Sequence, residues 1–147
     1  MISITIDDRE LRDALDRLAR RVEDTTPAMR AIATELETRI SDRFDAQRDP
    51  QGRAWAPLSG KTLARKKGRG RILYHSGDLL DSLTSRASRD EAVVGFGKPY
   101  GAFHEYGTRK MPRRGLLMAD PQARTLGEDD RAAILDILSR WIEGRPL

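Results

Sequence analysis

The chain changes its hydrophobic period twice, from helical spacing to strand-like alternation and back, and nothing else narrows its fold as much. From Asp7 or Asp8, either able to cap a helix, Leu11, Ala14, Leu15, Leu18, Ala19 and Val22 recur every three or four residues between charged neighbours, the pattern of an amphipathic helix. Thr25, Thr26 and Pro27 supply a cap and a first-turn proline for a second helix. It carries Met29, Ile32, Ala33, Leu36, Ile40 and Phe44 to about Ala46. Ahead of both, Ile2, Ile4 and Ile6 alternate with Ser3 and Thr5, which predicts a short strand.

Periodicity then lapses. Asp49, Pro50, Gly52, Pro57 and Gly60 punctuate a stretch whose large apolar residues are Trp55 and Leu58, so an extended loop anchored by Trp55 is expected. Lys61 to Arg71, KTLARKKGRGR, is the densest positive run. Gly68 and Gly70 weaken any helix that Thr62 to Lys67 starts, which predicts an exposed, mobile basic loop. Gly77 to Leu83 suits a short helix, and Leu83 to Ser88 with Ala92 to Phe96 flank Arg89, Asp90 and Glu91 as a hairpin. A helical turn over Tyr100 to Tyr106 ends at Gly107, and Leu116, Leu117 and Met118 suit a last strand. A final helix from about Glu128 buries Ala133, Ile134, Ile137, Leu138, Trp141 and Ile142, its Glu128, Asp129 and Asp130 complementing the helix dipole. The expected fold is α+β, one domain over residues 1–147. In it N-terminal helices and a C-terminal helix pack on a small, mainly antiparallel sheet beside a long basic loop.

Composition removes several function classes. With no cysteine and two histidines, His75 and His104, disulfides and thiolate metal sites are out, and no cofactor is expected. No apolar run approaches the roughly 20 residues of a membrane helix, and MISITIDDRE turns acidic where a signal peptide is apolar, so a cytoplasmic origin is expected. Charged residues are 34% of the chain, yet the net charge is only +4, too small to argue for nucleic acid by itself.

Apparent catalytic motifs fail on spacing. Gly60-Lys61-Thr62 resembles the end of a phosphate-binding loop, but the first glycine would fall on Trp55 and no apolar strand precedes it. His104-Glu105 resembles half of a zinc-protease helix, but the second histidine would fall on Thr108. Ser59 and Ser76 lack a nucleophile's setting, and convergence of the histidines with Asp78, Asp81 or Glu105 stays a distant hydrolase option. Two basic clusters have open readings. Lys61, Arg65, Lys66, Lys67, Arg69 and Arg71 form one, and Arg109, Lys110, Arg113 and Arg114 the other. Each is a candidate contact for DNA phosphates or an acidic protein, weighed against a plainly solvated surface.

Four blocks of the sequence recur in order in one known family. Phe44 with Asp49-Pro50-Gln51-Gly52, then Trp55-Ala56-Pro57-Leu58-Ser59 and Thr62, form the first two. Ile72-Leu73 with Gly77-Asp78-Leu79 form the third, and Gly95 with Tyr100-Gly101-Ala102-Phe103-His104-Glu105-Tyr106-Gly107 the fourth. Together they resemble the phage virion morphogenesis family, the tail-completion proteins of Mu-like and related contractile-tailed phages. Met111-Pro112-Arg113-Arg114-Gly115-Leu116-Leu117 departs from the proline, single arginine and phenylalanine-leucine of many relatives. The resemblance implies a non-enzymatic subunit that completes the tail or joins it to the head. It also implies a homo-oligomeric ring, six-fold to match the tail, with tail and neck proteins as partners and channel DNA as a candidate contact. Such a subunit would be made in the host cytoplasm and end in the virion. A free DNA-binding protein using Lys61 to Arg71 is the alternative. Trp55, Tyr100 and His104 are expected to be structural anchors.

Overall fold

The computed structural model describes residues 9–67, 71–74 and 76–147. The expected strand at Ile2 to Ile6 and its neighbours Asp7 and Asp8 lie outside them, as do Arg69 and His75. The elements are α1 (Arg9–Glu23), α2 (Thr26–Ala46), α3 (Gly60–Arg65), α4 (Asp78–Asp81), β1 (Leu83–Ala87), β2 (Ala92–Phe96), α5 (Gly101–Tyr106) and α6 (Glu128–Ile142). This is the α+β architecture read from the period changes.

Helix α2 is the spine. Its buried residues Ala28, Ile32, Ala33, Ile40 and Phe44 repeat at helical spacing, so one face meets the β-hairpin and another meets α6. Pro27 sits in the first turn and Thr25 at the N-cap, as expected, but Thr25 makes no side-chain cap bond, and Asp24 binds the first turn instead. Its Oδ1 accepts from the Thr26 hydroxyl at 2.6 Å and the Thr26 amide at 3.1 Å. Those two bonds, hydroxyl first, hold the Asp24 carboxyl below its ordinary range. β1 and β2 pair antiparallel with Leu83 opposite Phe96 and Ala87 opposite Ala92, and the connection closes with the Ser88 amide donating to Glu91 O at 2.8 Å. Arg89 Nε donates to Glu23 O at 2.7 Å, tying that turn to the α1–α2 junction.

The core lies where α2 ends. Phe44, Trp55, Leu79 and Leu116 form one buried cluster, edged by Ile72, Leu73, Leu80, Phe96 and Leu117. Phe44 meets Trp55 edge to face at 5.7 Å and Phe96 at 6.0 Å, arrangements that suit the ring quadrupoles.

Four expectations need correction. The Lys61 to Arg71 run is not loop throughout, because Ser59 caps the short helix α3 by accepting from the Thr62 amide at 3.2 Å. Leu116 to Met118 form no strand, because their amides bond to the Glu105 carboxylate instead of a ladder. The apolar stripe of α1 is not buried: Leu15 and Val22 are 44% and 63% exposed, and the helix packs chiefly on α6. On α6, Ile137 is buried as expected, but Ile142 stays 51% exposed, since its position in the last turn points away from α2.

Candidate functional site

The segment between α2 and α3 is shaped by one carboxylate and one indole. Asp49 Oδ1 accepts from the Gln51 and Arg53 amides, both at 2.9 Å, which forms the turn that Asp-Pro-Gln-Gly suggested. Gly52 sits at φ 80°, a conformation that glycine tolerates best. The chain then delivers Trp55 inward, where Nε1 donates to Gly115 O at 2.9 Å. Trp55 is buried there with its one polar atom satisfied.

On the far side of that anchor stands α5. Glu105 is 3% exposed. Its Oε2 accepts from the Leu116 and Leu117 amides at 2.7 and 2.8 Å and its Oε1 from the Met118 amide at 2.9 Å. Three charge-assisted bonds fix the loop after α5 without a strand. Arg113 reinforces it, donating to Glu105 O at 2.7 Å and Met118 O at 2.6 Å. Arg114 turns the other way and donates to Ala56 O at 2.8 Å and Pro57 O at 2.9 Å. It is a buried cation held by carbonyls, and burial lowers its pKa from the ordinary arginine value.

Between α3, α4 and this loop lies a cavity of about 530 Å³. Arg65, Lys66, Tyr100, His104, Lys110 and Arg114 all line it, so members of both basic clusters converge there although some forty residues separate them. Lys66 is partly committed, its Nζ donating to Arg71 O at 3.1 Å and Tyr74 O at 3.0 Å. Arg71 pairs with Asp45 and lies 4.3 Å from the centre of the Tyr74 ring. Lys61, Lys67 and Arg109 are exposed and line no part of the cavity. His104 Nδ1 is buried without a hydrogen-bond partner, and burial first, then the Arg114 charge, lower the imidazole below its ordinary range. Arg65, Lys66, Lys110 and Arg114 outnumber Asp78, the one carboxylate in the lining, so the cavity favours an anionic group.

A second polar centre lies behind α2. Asp130, 1% exposed, accepts from Arg39 Nε at 2.8 Å and pairs with Arg43, whose Nη1 donates to Leu116 O at 2.6 Å. The Asp130 hydrogen bond, ahead of desolvation in the other direction, raises the Arg39 pKa. Sequence reading placed Asp130 on the helix dipole and missed this. Its spacing of seven from buried Ile137 was the available signal, since it puts both on the inward face of α6. Among the described residues, no group of three or more His, Asp or Glu side chains is placed to hold a metal ion.

Comparison with known proteins places the chain in a family. The sequence profile described as the phage virion morphogenesis family matches residues 6–143. The chain belongs to that family. Among its relatives, Mu-like prophage FluMu G protein 2 of Haemophilus influenzae is 30% identical over 97% of this chain and 97% of its own length. Protein G of Escherichia phage Mu, named for capsid assembly, is 32% identical over 72% of this chain and 70% of its own. FluMu G protein 1 of H. influenzae is 28% identical over 95% and 93%. No solved structure matches the chain. The blocks that carried the resemblance now have places: Phe44, Trp55 and Leu79 meet in the core, and the Tyr100 to Gly107 block is α5, which borders the basic cavity.

Proposed function

We propose that this virion morphogenesis protein is a non-enzymatic structural subunit that completes the phage tail or joins it to the head, working as a repeated copy in a neck ring. The carrying observation is family membership over residues 6–143, together with relatives that include a prophage G protein collinear with almost the whole chain and a phage Mu protein named for capsid assembly. The use of the buried carboxylates supports it. Glu105 and Asp130, the groups best placed for acid-base work by burial, are saturated by backbone amides and guanidinium groups, which fixes the scaffold rather than freeing a proton acceptor. On this reading the subunit is made in the host cytoplasm, enters the virion, and contacts tail and neck proteins. No described helix is long and apolar enough to cross a membrane.

The test is deletion in an inducible phage or prophage followed by electron microscopy of the lysate. Filled heads and separate tails, rejoined when the gene is supplied in trans, are expected. Normal numbers of joined, infectious particles without the protein would overturn the proposal. A second reading, DNA contact, is favoured by Lys61, Arg65 and Lys67, which are exposed on and beside α3 and form no ion pair among the described residues. Counterion release makes it separable, since DNA retention would then fall steeply with salt and with replacement of these three residues by Gln.

A further inference from the structure

Helix α5 carries its aromatic residues on the wrong side for a core. Tyr100, Phe103 and Tyr106 recur every three residues and are 39%, 54% and 52% exposed. The whole chain has two Trp, three Tyr and three Phe, so this one turn-and-a-half of helix displays a large share of them to solvent. Exposed aromatics grouped in this way mark interface centres, where a rigid ring contributes much area at little entropic cost.

The surroundings specify the guest. From Gly97 to Ala119 the chain has Lys98, Arg109, Lys110, Arg113 and Arg114, and its single carboxylate is Glu105. That carboxylate is buried and already accepts three amides. Lys98, Arg109 and Lys110 are exposed, and the cavity next to Tyr100 adds exposed Arg65, with Asp78 the one carboxylate in its lining and Arg114 already bonded to carbonyls. A partner for this face needs an apolar stripe with carboxylates beside it.

The outward side of α6 has that form. Leu135 and Ile142 are 52% and 51% exposed, and with Ala132 and Ser139 they repeat at spacings of three and four, which makes a stripe. Asp129, Asp136 and Glu143 follow at intervals of seven and line one flank. Among the described residues Asp136 and Glu143 pair with Arg140 and Arg145 of the same segment, both in partly solvated contacts that a new partner can exchange at little cost. The exposed stripe Leu15, Leu18 and Val22 on α1 has Asp16, Arg21 and Glu23 nearest it on the helix, a border of mixed charge that offers the basic face no run of carboxylates.

We propose that α5 and the basic cavity beside it receive the outward face of α6 from a second copy of this chain, in a head-to-tail contact. The inference rests on the ring reading above and names its interface. α6 packs on α1 and α2 and gives no residue to the cavity, so donor and acceptor are separate surfaces of one subunit. Such a heterologous contact leaves both kinds of face open after each addition and ends only when a ring closes. A helix of 15 residues is about 22 Å long, enough for one side of an interface of about 800 Å² per partner.

The chain has no cysteine, so the contact can be read by cross-linking in cells that make the full set of virion proteins. The probe is Phe103→Cys together with Leu135→Cys, treated with a short bis-maleimide. A ladder of dimers, trimers and higher multiples of this chain is expected, while either single variant gives none. As a second measurement, Phe103→Asp and Leu135→Arg subunits, each with the parent's melting temperature, are expected to fail alone. Mixed, they are expected to cross-link through their remaining faces and stop at the dimer. Four results would overturn the inference while leaving the ring reading intact, given several copies per particle. They are no ladder from the double variant, dimers from a single-cysteine variant, no dimer in the mixture, or a Phe103→Cys adduct to a cysteine of a different virion protein. Particles with one copy would instead remove the ring reading, and the inference with it.

Discussion

Trp55, Asp130 and His104 differ in how their polar atoms are met: by a backbone carbonyl, by two guanidinium groups, and, at His104 Nδ1, by no partner among the described residues. Trp55 is 5% exposed, stacked edge to face on Phe44 and bonded to Gly115 O. Trp55→Ala should therefore cost about 3 to 5 kcal/mol by leaving a cavity and an unpaired carbonyl, read as a lowered denaturant midpoint; an unchanged midpoint would remove it as the anchor. Asp130 neutralises two guanidinium groups where α6 meets α2. Asp130→Ala leaves Arg43 buried without its carboxylate, so a loss of about 3 to 5 kcal/mol is expected, and a change within the error of equilibrium unfolding would contradict the geometry. His104 titrates below its ordinary range because of burial and then Arg114. The unfolded chain takes up that proton near pH ~6.5 and the folded chain only at lower pH, so the unfolded state binds more protons in between. The stabilisation is complete above the unfolded value and is lost as pH falls towards the folded one. The melting temperature should therefore drop as pH goes from neutral to mildly acidic, and His104→Gln should flatten that slope. An identical slope in the variant would show that other groups carry it.

At the scale of elements, what the sequence made legible follows from how local the signal is. α2, the hairpin, α5 and α6 were placed within a residue or two because their periodicity, proline and glycine stops are all written within a few residues. Leu116 to Met118 were misread as a strand because an apolar triplet looks alike whether its amides face a neighbouring strand or, as here, the Glu105 carboxylate. Glu105 was passed over as a functional anchor for the same reason, since its three acceptor contacts lie eleven to thirteen residues ahead. The α1 stripe was legible as amphipathic, but amphipathicity does not say whether the apolar side meets its own chain. The two basic clusters were legible as clusters, whereas their meeting in one cavity depends on Trp55 and Arg114 drawing distant segments together. Because α3 is capped by Ser59 and buries none of its own residues, replacing Lys61, Arg65 and Lys67 with Gln should change stability by no more than about 0.5 kcal/mol. Assembly is expected to suffer instead. Normal infectious titres from a phage carrying the replaced residues would make α3 a solvated surface only. Gly127 tests packing between elements: a Cβ there would strike Pro50 O, so Gly127→Ala should lower the melting temperature by pushing α6 from the Asp49 turn, and an unchanged value would show that the turn gives way freely.

The molecule as a whole is a small scaffold with more exposed apolar helix surface than a lone subunit needs. α1, α5 and α6 each present such a stripe, while α2 and the four-residue cluster around Phe44 carry the fold. The buried charges Glu105 and Arg114 bond loop backbone and Asp130 joins α6 to α2, while the exposed charge includes a basic group at α3 and after α5 and an acidic flank on α6. On the proposed reading the α5 face and the outward α6 face join copies of the subunit, and membership of the virion morphogenesis family supplies the setting. The most direct measurement is the number of copies of this protein in purified, joined particles, obtained by quantitative mass spectrometry against a virion protein of known count. The account predicts a ring complement on the order of six, present in joined particles; one or two copies per particle, or none, would contradict it.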